Sequence, residues 1–400
     1  MKRYDRELAH FFHTYKRLPL EIERGKGMEL IAADGKRYLD MFSGLAVNAL
    51  GYANPAVIRA IRAQAGRYTH LSNYYLQEPQ IRLAELLTEA SGFPRVFFCN
   101  SGTEAIEGAI KLSRRWGSQR GKREVVSLSN SFHGRTMGAL SMMDRPRYRE
   151  GFGPFLDGFH IAGFNDPRSL RRAVGRKTAA VVLEFIQGEG GVRPVSTEFV
   201  ATLKELQSQF GFLLVADEIQ SGIGRTGTFF AFQHYGVSPD IVVVAKPIGG
   251  GLPLGAILGT EAVAGVLEPG MHGTTFGGNP VACAAGIAVL QELHRHHLMK
   301  NASVMGDLLL KELRALAARF PGLVSDVRGI GLMAGMELTT DCDPVVAAMR
   351  EEGILINGTD RTVLRFLPPL IVKPAHINRT MTALRKVLAG TGAKTGPSPH

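Results

Sequence analysis

Two short runs decide the fold: FLLVADEIQ at 212–220 and DIVVVAKPIGGG at 240–251. Each is a continuous apolar stretch that ends on a charged residue, Asp217 in the first and Lys246 in the second. Unbroken apolar runs of this length, bounded by Gly, Pro, Asn or Asp, read as strands buried on both faces. Arg95–Cys99, Val125–Leu128 and Ala179–Phe185 are further runs of the same kind. Helical patterns separate them, so residues 75–290 read as an α/β unit with a mostly parallel sheet. Ligands of such sheets bind beyond the carboxyl ends of the strands. Chemistry is therefore sought just after each run.

An acid and an amine at neighbouring strand ends are a specific combination. Pro247 follows Lys246 and is expected to hold it extended, since the residue before proline avoids the right-handed helical region. Three glycines then let the backbone pass close to a ligand. A lysine so placed is suited to Schiff-base chemistry, and a carboxylate suits the ring nitrogen of an electron-sink cofactor. An ion pair capping two strands is the plainer alternative.

Further elements lie after other runs. In CNSGTEAIEGAIKLSRRWG (99–117), Ser101 and Glu104 have capping-box spacing, and Gly117 is expected to end the helix. The amides of Gly102 and Thr103 then stand at a helix N-terminus, a ready phosphate site. SNSFHGRTMGA (129–139) offers Phe132 as an aromatic face and Arg135 as a carboxylate-binding group. HGTTFGGNP (272–280) offers the paired hydroxyls of Thr274 and Thr275.

The chain has 400 residues, 45% hydrophobic and 21% charged. That excludes disorder for the bulk of it and allows two or three domains. Cys99, Cys283 and Cys342 are too few and too far apart for a disulfide framework or a zinc motif. No signal peptide or membrane-length apolar segment is read, so a cytoplasmic setting is expected. The net charge of +11 is scattered rather than clustered, so nucleic-acid and membrane partners are not expected. Gly222, Gly224 and Gly227 match GxGxxG, but DEIQS separates them from the strand and no ribose-binding acid follows. His294, His296 and His297 lack ligand spacing, and no metal is expected.

These motifs together resemble the class III aminotransferases that use pyridoxal 5′-phosphate. The likeness runs from TYKRLPL (14–20) through LDMFSGLAVNALG (39–51), VFFCNSGTEA, NSFHGRTMGAL, IQGEGGVRPV, DEIQSGIGRTG and AKPIGGGLPLGA to LRFLPPL (364–370). The resemblance implies fold type I: a large domain with a mostly parallel seven-stranded sheet, plus a smaller α+β domain from both termini. The expected boundaries are 1–48 for the N-terminal segment, 49–291 for the large domain, 292–390 for the small domain and 391–400 for a disordered tail.

The resemblance also implies roles. Lys246 corresponds to the Schiff-base lysine and proton shuttle, and Asp217 to the partner of the pyridine nitrogen. Gln220 would bond the ring hydroxyl, Phe132 would stack on the ring, and Gly102 and Thr103 would hold the phosphate. Thr275 would reach the phosphate of a neighbouring subunit, which implies a homodimer with shared sites. Thr274 and Arg135 would touch substrate. Arg365 corresponds to the residue that receives the α-carboxylate of 2-oxoglutarate, and Glu189 to a gate that pairs with it otherwise. Leaving such a charge buried and unpaired costs roughly 3–5 kcal/mol, about 10²–10³-fold or more in discrimination.

The implied reaction moves the amino group of N2-acetyl-L-ornithine to 2-oxoglutarate. Ornithine, succinylornithine, carrier-linked lysine and 4-aminobutyrate are the alternative donors. Gly44 stands where ornithine-specific relatives carry tyrosine, which favours an acylated donor. Phe185 and Pro247 also depart from the pattern, and Glu184 receives no role.

Overall fold

The structure is a computed structural model that describes residues 3–392. A seven-stranded sheet forms its centre, in the order Arg95–Cys99, Gly255–Gly259, Ile241–Val244, Leu213–Asp217, Thr178–Leu183, Glu124–Leu128, Phe159–Ala162. Gly255–Gly259 pairs antiparallel with both its neighbours, and the pairings from Ile241–Val244 outward to Phe159–Ala162 are all parallel. The apolar runs are continuous because both sheet faces are covered. Leu214, Ala216, Val242 and Val244 enter one core cluster, while Leu213, Val215, Ile241 and Val243 enter the other. Fully burying one such side chain stabilises by about 1.5–3 kcal/mol.

The helix Gly102–Ser118 covers the second face with Ala105, Ile106, Ala109, Ile110 and Trp116. Ser101 Oγ accepts the Glu104 N–H at 3.2 Å. The Glu104 carboxylate reaches one residue further back than a capping box requires, to the Asn100 N–H at 2.7 Å. Gly117 does not end the helix. It lies within the last turn, where a Cβ would meet the Lys122 carbonyl at 2.6 Å, so close packing rather than termination explains it.

Among the described residues two four-stranded sheets and a two-stranded ribbon, Ile186–Gln187 with Arg193–Pro194, lie outside the central sheet. One four-stranded sheet joins Ile22–Lys26, Glu29–Ala32 and Arg37–Asp40 to Ile354–Leu355, so early and late residues share it. The other runs Val324–Ile330, Met333–Leu338, Val363–Phe366, Asn357–Thr359, antiparallel throughout. Residues 280–317 form two helices, Pro280–Arg295 and Leu298–Ala317, broken where His297 takes φ +50°. The final helix, Pro374–Gly392, carries residues 391 and 392 of the expected tail, and residues 393–400 lie outside the described ones. Among the described residues no helix is long and apolar enough to cross a membrane.

Candidate active site

A cavity of about 450 Å³ opens at the carboxyl edge of the large sheet. Gly102, Thr103, Phe132, Arg135, Glu189, Asp217, Gln220 and Lys246 all line it. Each follows a strand end or a loop that returns to that edge, so the sheet itself brings together residues up to 144 positions apart.

Lys246 is not extended. It has φ +45° and opens the short 3₁₀ turn Lys246–Gly249, closed by the Ile248 N–H to Ala245 carbonyl bond at 3.2 Å. Proline disfavours the right-handed helical region before it, and the chain answers by going left-handed rather than straight. Such a conformation costs about 1–3 kcal/mol and survives only where surrounding structure enforces it. Burial pushes the amine below the ordinary lysine range, against the pull of Asp217, Glu189 and Glu184.

Asp217 is buried and accepts the Ile219 N–H at 3.1 Å, while its second oxygen lies 2.8 Å from His133 Nδ1. His133, unassigned by sequence, is fully buried, and its Nε2 has no hydrogen-bond partner among the described residues. Burial opposes its protonation, but the hydrogen bond and charge of Asp217, with Glu184, raise its pKa on balance. Glu184 also lines the cavity. Its oxygens accept the Phe132 N–H at 3.0 Å and the Gly188 N–H at 3.1 Å, and burial, then the Asp217 charge, lift its pKa to about 7. Its contacts are those of a brace between the aromatic segment and the 186–191 loop.

Arg365 is fully buried, and its Nη1 donates to Glu189 Oε1 at 2.7 Å. Gln220 Oε1 lies 3.4 Å from the same nitrogen. The Arg365 charge offsets the cost of burying Glu189 and holds its carboxyl below the ordinary range. Nε and Nη2 both donate to Asn357 Oδ1, at 3.0 and 2.6 Å, a partner that sequence reading missed. A Cβ at Gly188 would collide with Gln220 Oε1, so a larger residue there would displace the Gln220 amide from its present place.

Not every expected residue converges. Thr274 lines a separate cavity with Asn73, Gln80 and His272, and its hydroxyl accepts from Asn100 Nδ2 at 3.2 Å. Thr275 is exposed and lines neither cavity. Arg135 is exposed at the rim, its guanidinium 5.3 Å from the Phe132 ring centroid and 4.2 Å from that of Tyr148. Thr103 Oγ1 lies 3.0 Å from Thr136 Oγ1, so its hydroxyl is already engaged. Phe185 is a core residue packed on Tyr235 and Phe232, and neither it nor Pro247 lines the main cavity. Gly44 lies in a left-handed turn, Ser43–Ala46, and Val47 rather than Gly44 reaches the cavity.

This cavity fits a planar, phosphorylated cofactor. A Cβ at Gly102 would meet Ile219 at 2.8 Å, so the helix N-terminus stays bare and its amides accessible to an anion. A buried carboxylate, an aromatic ring and a lysine face the same space. Together these define an enzyme that exchanges groups at an amine.

The comparisons agree with that class. The family model for Aminotransferase class-III matches residues 11–388. The acetylornithine aminotransferase of Methanocaldococcus jannaschii is 44% identical over 388 residues, 96% of this chain and 97% of that one. The ornithine aminotransferase of Toxoplasma gondii superposes with a TM-score of 0.94 at 31% identity, covering 98% and 95% of the two chains. A PLP-bound amine transaminase from an uncultivated Pseudomonas species gives 0.89 at 30%, covering 95% and 98%. The chain belongs to the class III aminotransferase family.

Proposed function

We propose that this chain transfers the terminal amino group of N2-acetyl-L-ornithine to 2-oxoglutarate, giving N-acetyl-L-glutamate 5-semialdehyde and L-glutamate, with pyridoxal 5′-phosphate as cofactor. The observation that carries the reading is the Arg365–Glu189 pair at 2.7 Å, whose glutamate lines the cavity that holds Lys246 while the buried arginine stands behind it. A breakable ion pair lets one site accept two amino-group partners, only one of which brings a carboxylate to that arginine. The acetylornithine aminotransferase relative, matched nearly end to end, supports the donor.

The bound cofactor supplies an electron sink for the carbon that loses its proton. The amides of Gly102 and Thr103 would hold its phosphate, Phe132 would cover its ring, and Gln220 would bond its ring hydroxyl. Asp217 would face the pyridine nitrogen and keep it protonated, with His133 holding the carboxylate in place. Lys246 Nζ would take the proton from the amino-bearing carbon of the donor and, in the acceptor half-reaction, give one to the former keto carbon of 2-oxoglutarate, which the lowered pKa of its amine favours. Glu189 neutralises Arg365 while the donor is bound. It withdraws when 2-oxoglutarate brings its α-carboxylate. Arg135 at the rim would take the carboxylate at the far end of either substrate, and Thr274 would touch substrate.

The reading includes a homodimer. Tyr74, Leu76 and Phe276 are largely exposed, and Phe276 adjoins Thr275, which would then reach the partner's phosphate site. Three buried, unpaired cysteines accord with a reducing, cytoplasmic setting. The partners are small molecules rather than nucleic acid or membrane. The test ranks kcat/KM for N-acetylornithine, ornithine, succinylornithine and 4-aminobutyrate with 2-oxoglutarate as acceptor. N-Acetylornithine is expected to lead by about tenfold or more. A clear preference for another donor would overturn the assignment while leaving the family intact.

A further inference from the structure

Behind the Arg365–Glu189 pair lies one short strand that touches both members. Asn357 and Arg365 are register partners in the antiparallel strands Asn357–Thr359 and Val363–Phe366. Two nitrogens of the guanidinium, Nε and Nη2, converge on the single Asn357 Oδ1. Only Nη1 is turned to Glu189. Two residues along the same strand, the Thr359 hydroxyl donates to the backbone carbonyl of Glu189 at 3.0 Å. The strand thus grips the arginine by its side chain and the glutamate by its main chain. The strand leaves the Glu189 carboxylate to Arg365 Nη1, and that side chain is 21% exposed against 2% for Arg365.

We propose that Asn357 and Thr359 are the positioning residues of the gate, and that Asn357 sets the site's affinity for dicarboxylate substrates. The proposal rests on the reading of 2-oxoglutarate as amino acceptor. Its logic is electrostatic. An arginine that must serve two partners in turn has to stay aimed while neither is bound. A neutral amide oxygen fixes the guanidinium plane without cancelling its charge, so the whole charge remains for Glu189 or for the incoming carboxylate. An aspartate at 357 would fix the same plane but act as a permanent counter-ion. Thr359 supplies the complementary restraint. With the Glu189 carbonyl pinned, the gate opens by rotation of a side chain rather than by movement of the 186–191 loop, and its carboxylate returns to the same place each cycle.

Asn357→Asp and Thr359→Val test this in the holoenzyme, with the two half-reactions followed separately by cofactor absorbance. Asn357→Asp keeps the shape and both acceptor contacts, so a merely structural role predicts no change. The expected result is a rise of about tenfold or more in the KM for 2-oxoglutarate, with kcat/KM for the amino donor within about threefold of wild type. The Kd of glutarate, an unreactive dicarboxylate, should rise in parallel. Thr359→Val should split the other way, weakening the amino donor about threefold and sparing 2-oxoglutarate. Unchanged dicarboxylate binding in Asn357→Asp, or equal loss in both half-reactions, overturns the proposal. Should that variant fail to fold, Thr359→Val alone still decides, because an unsplit effect refutes the anchoring. A wild-type enzyme that bound neither 2-oxoglutarate nor glutarate would instead sink the proposed function.

Discussion

Lys246 lines the cavity and Arg365 stands behind it against Glu189, yet the chain holds these two cations in opposite ways. Lys246 hangs from a tight left-handed turn at the end of a central strand, and among the described residues no side chain pairs with its amine. Arg365 is gripped by Asn357, Gln220 and Glu189 from three segments of sequence. A group that shuttles protons has to be free at its tip and easily neutral. Burial without a direct partner gives that, and the pKa of Lys246 falls accordingly. A group that binds carboxylates has to keep its charge and its direction, which calls for acceptors on every side but one. The rigid element differs too. The lysine draws its rigidity from the seven-stranded sheet, the arginine from a hairpin of the small antiparallel sheet.

The largest expected effect strikes the lysine side. Lys246→Ala should lower turnover by roughly 10³-fold or more and remove the visible absorbance of the bound cofactor, while far-ultraviolet circular dichroism stays as in wild type. Turnover near the wild-type rate would erase the distinction between a reacting and a binding cation.

The smallest effect sharpens the comparison through a buried acid that touches neither cation. Glu218 accepts the N–H groups of Ala231 and Phe232 and the Ser221 hydroxyl, and burial lifts its pKa from 4.5 to about 7. Between those values the unfolded chain has released this proton and the folded chain has not. The contribution of Glu218 to stability is therefore full below pH 4.5 and fades as pH rises through about 7. Glu218→Gln loses that slope. Its Tm relative to wild type should improve from roughly pH 5 to pH 8. A difference that stayed flat across that range would show Glu218 ionised throughout.

The lysine side was largely legible in the sequence, because its residues lie at or shortly after the ends of apolar runs. Asp217, Lys246, Gly102 and Phe132 needed no long-range knowledge to be found. His133 was passed over because its reason for being there, the Asp217 carboxylate, lies 84 residues away. The conformation of Lys246 was misread because the proline rule excludes one region of backbone space and does not choose between the others. Two strands, Phe159–Ala162 and Gly255–Gly259, escaped because they are short and begin beside or on glycine. On the arginine side, Arg365 and Glu189 were reached through family resemblance alone. Asn357 has a local signal in hindsight: it lies eight residues before Arg365, across a turn where Asp360 and Arg361 both take positive φ. A hairpin of that length pairs the two residues directly.

The most direct test is Glu189→Gln in the cofactor-loaded enzyme, mixed first with N-acetyl-L-ornithine alone and then with 2-oxoglutarate. If the ion pair is what lets one cavity serve both substrates, removing the glutamate charge leaves Arg365 uncompensated only while the donor is bound. The donor half-reaction should slow by about tenfold or more, within the roughly 10²–10³-fold bound set by an unpaired buried charge. The 2-oxoglutarate half-reaction should hold its rate or gain. Equal slowing of both half-reactions, or no change in either, would contradict the gate.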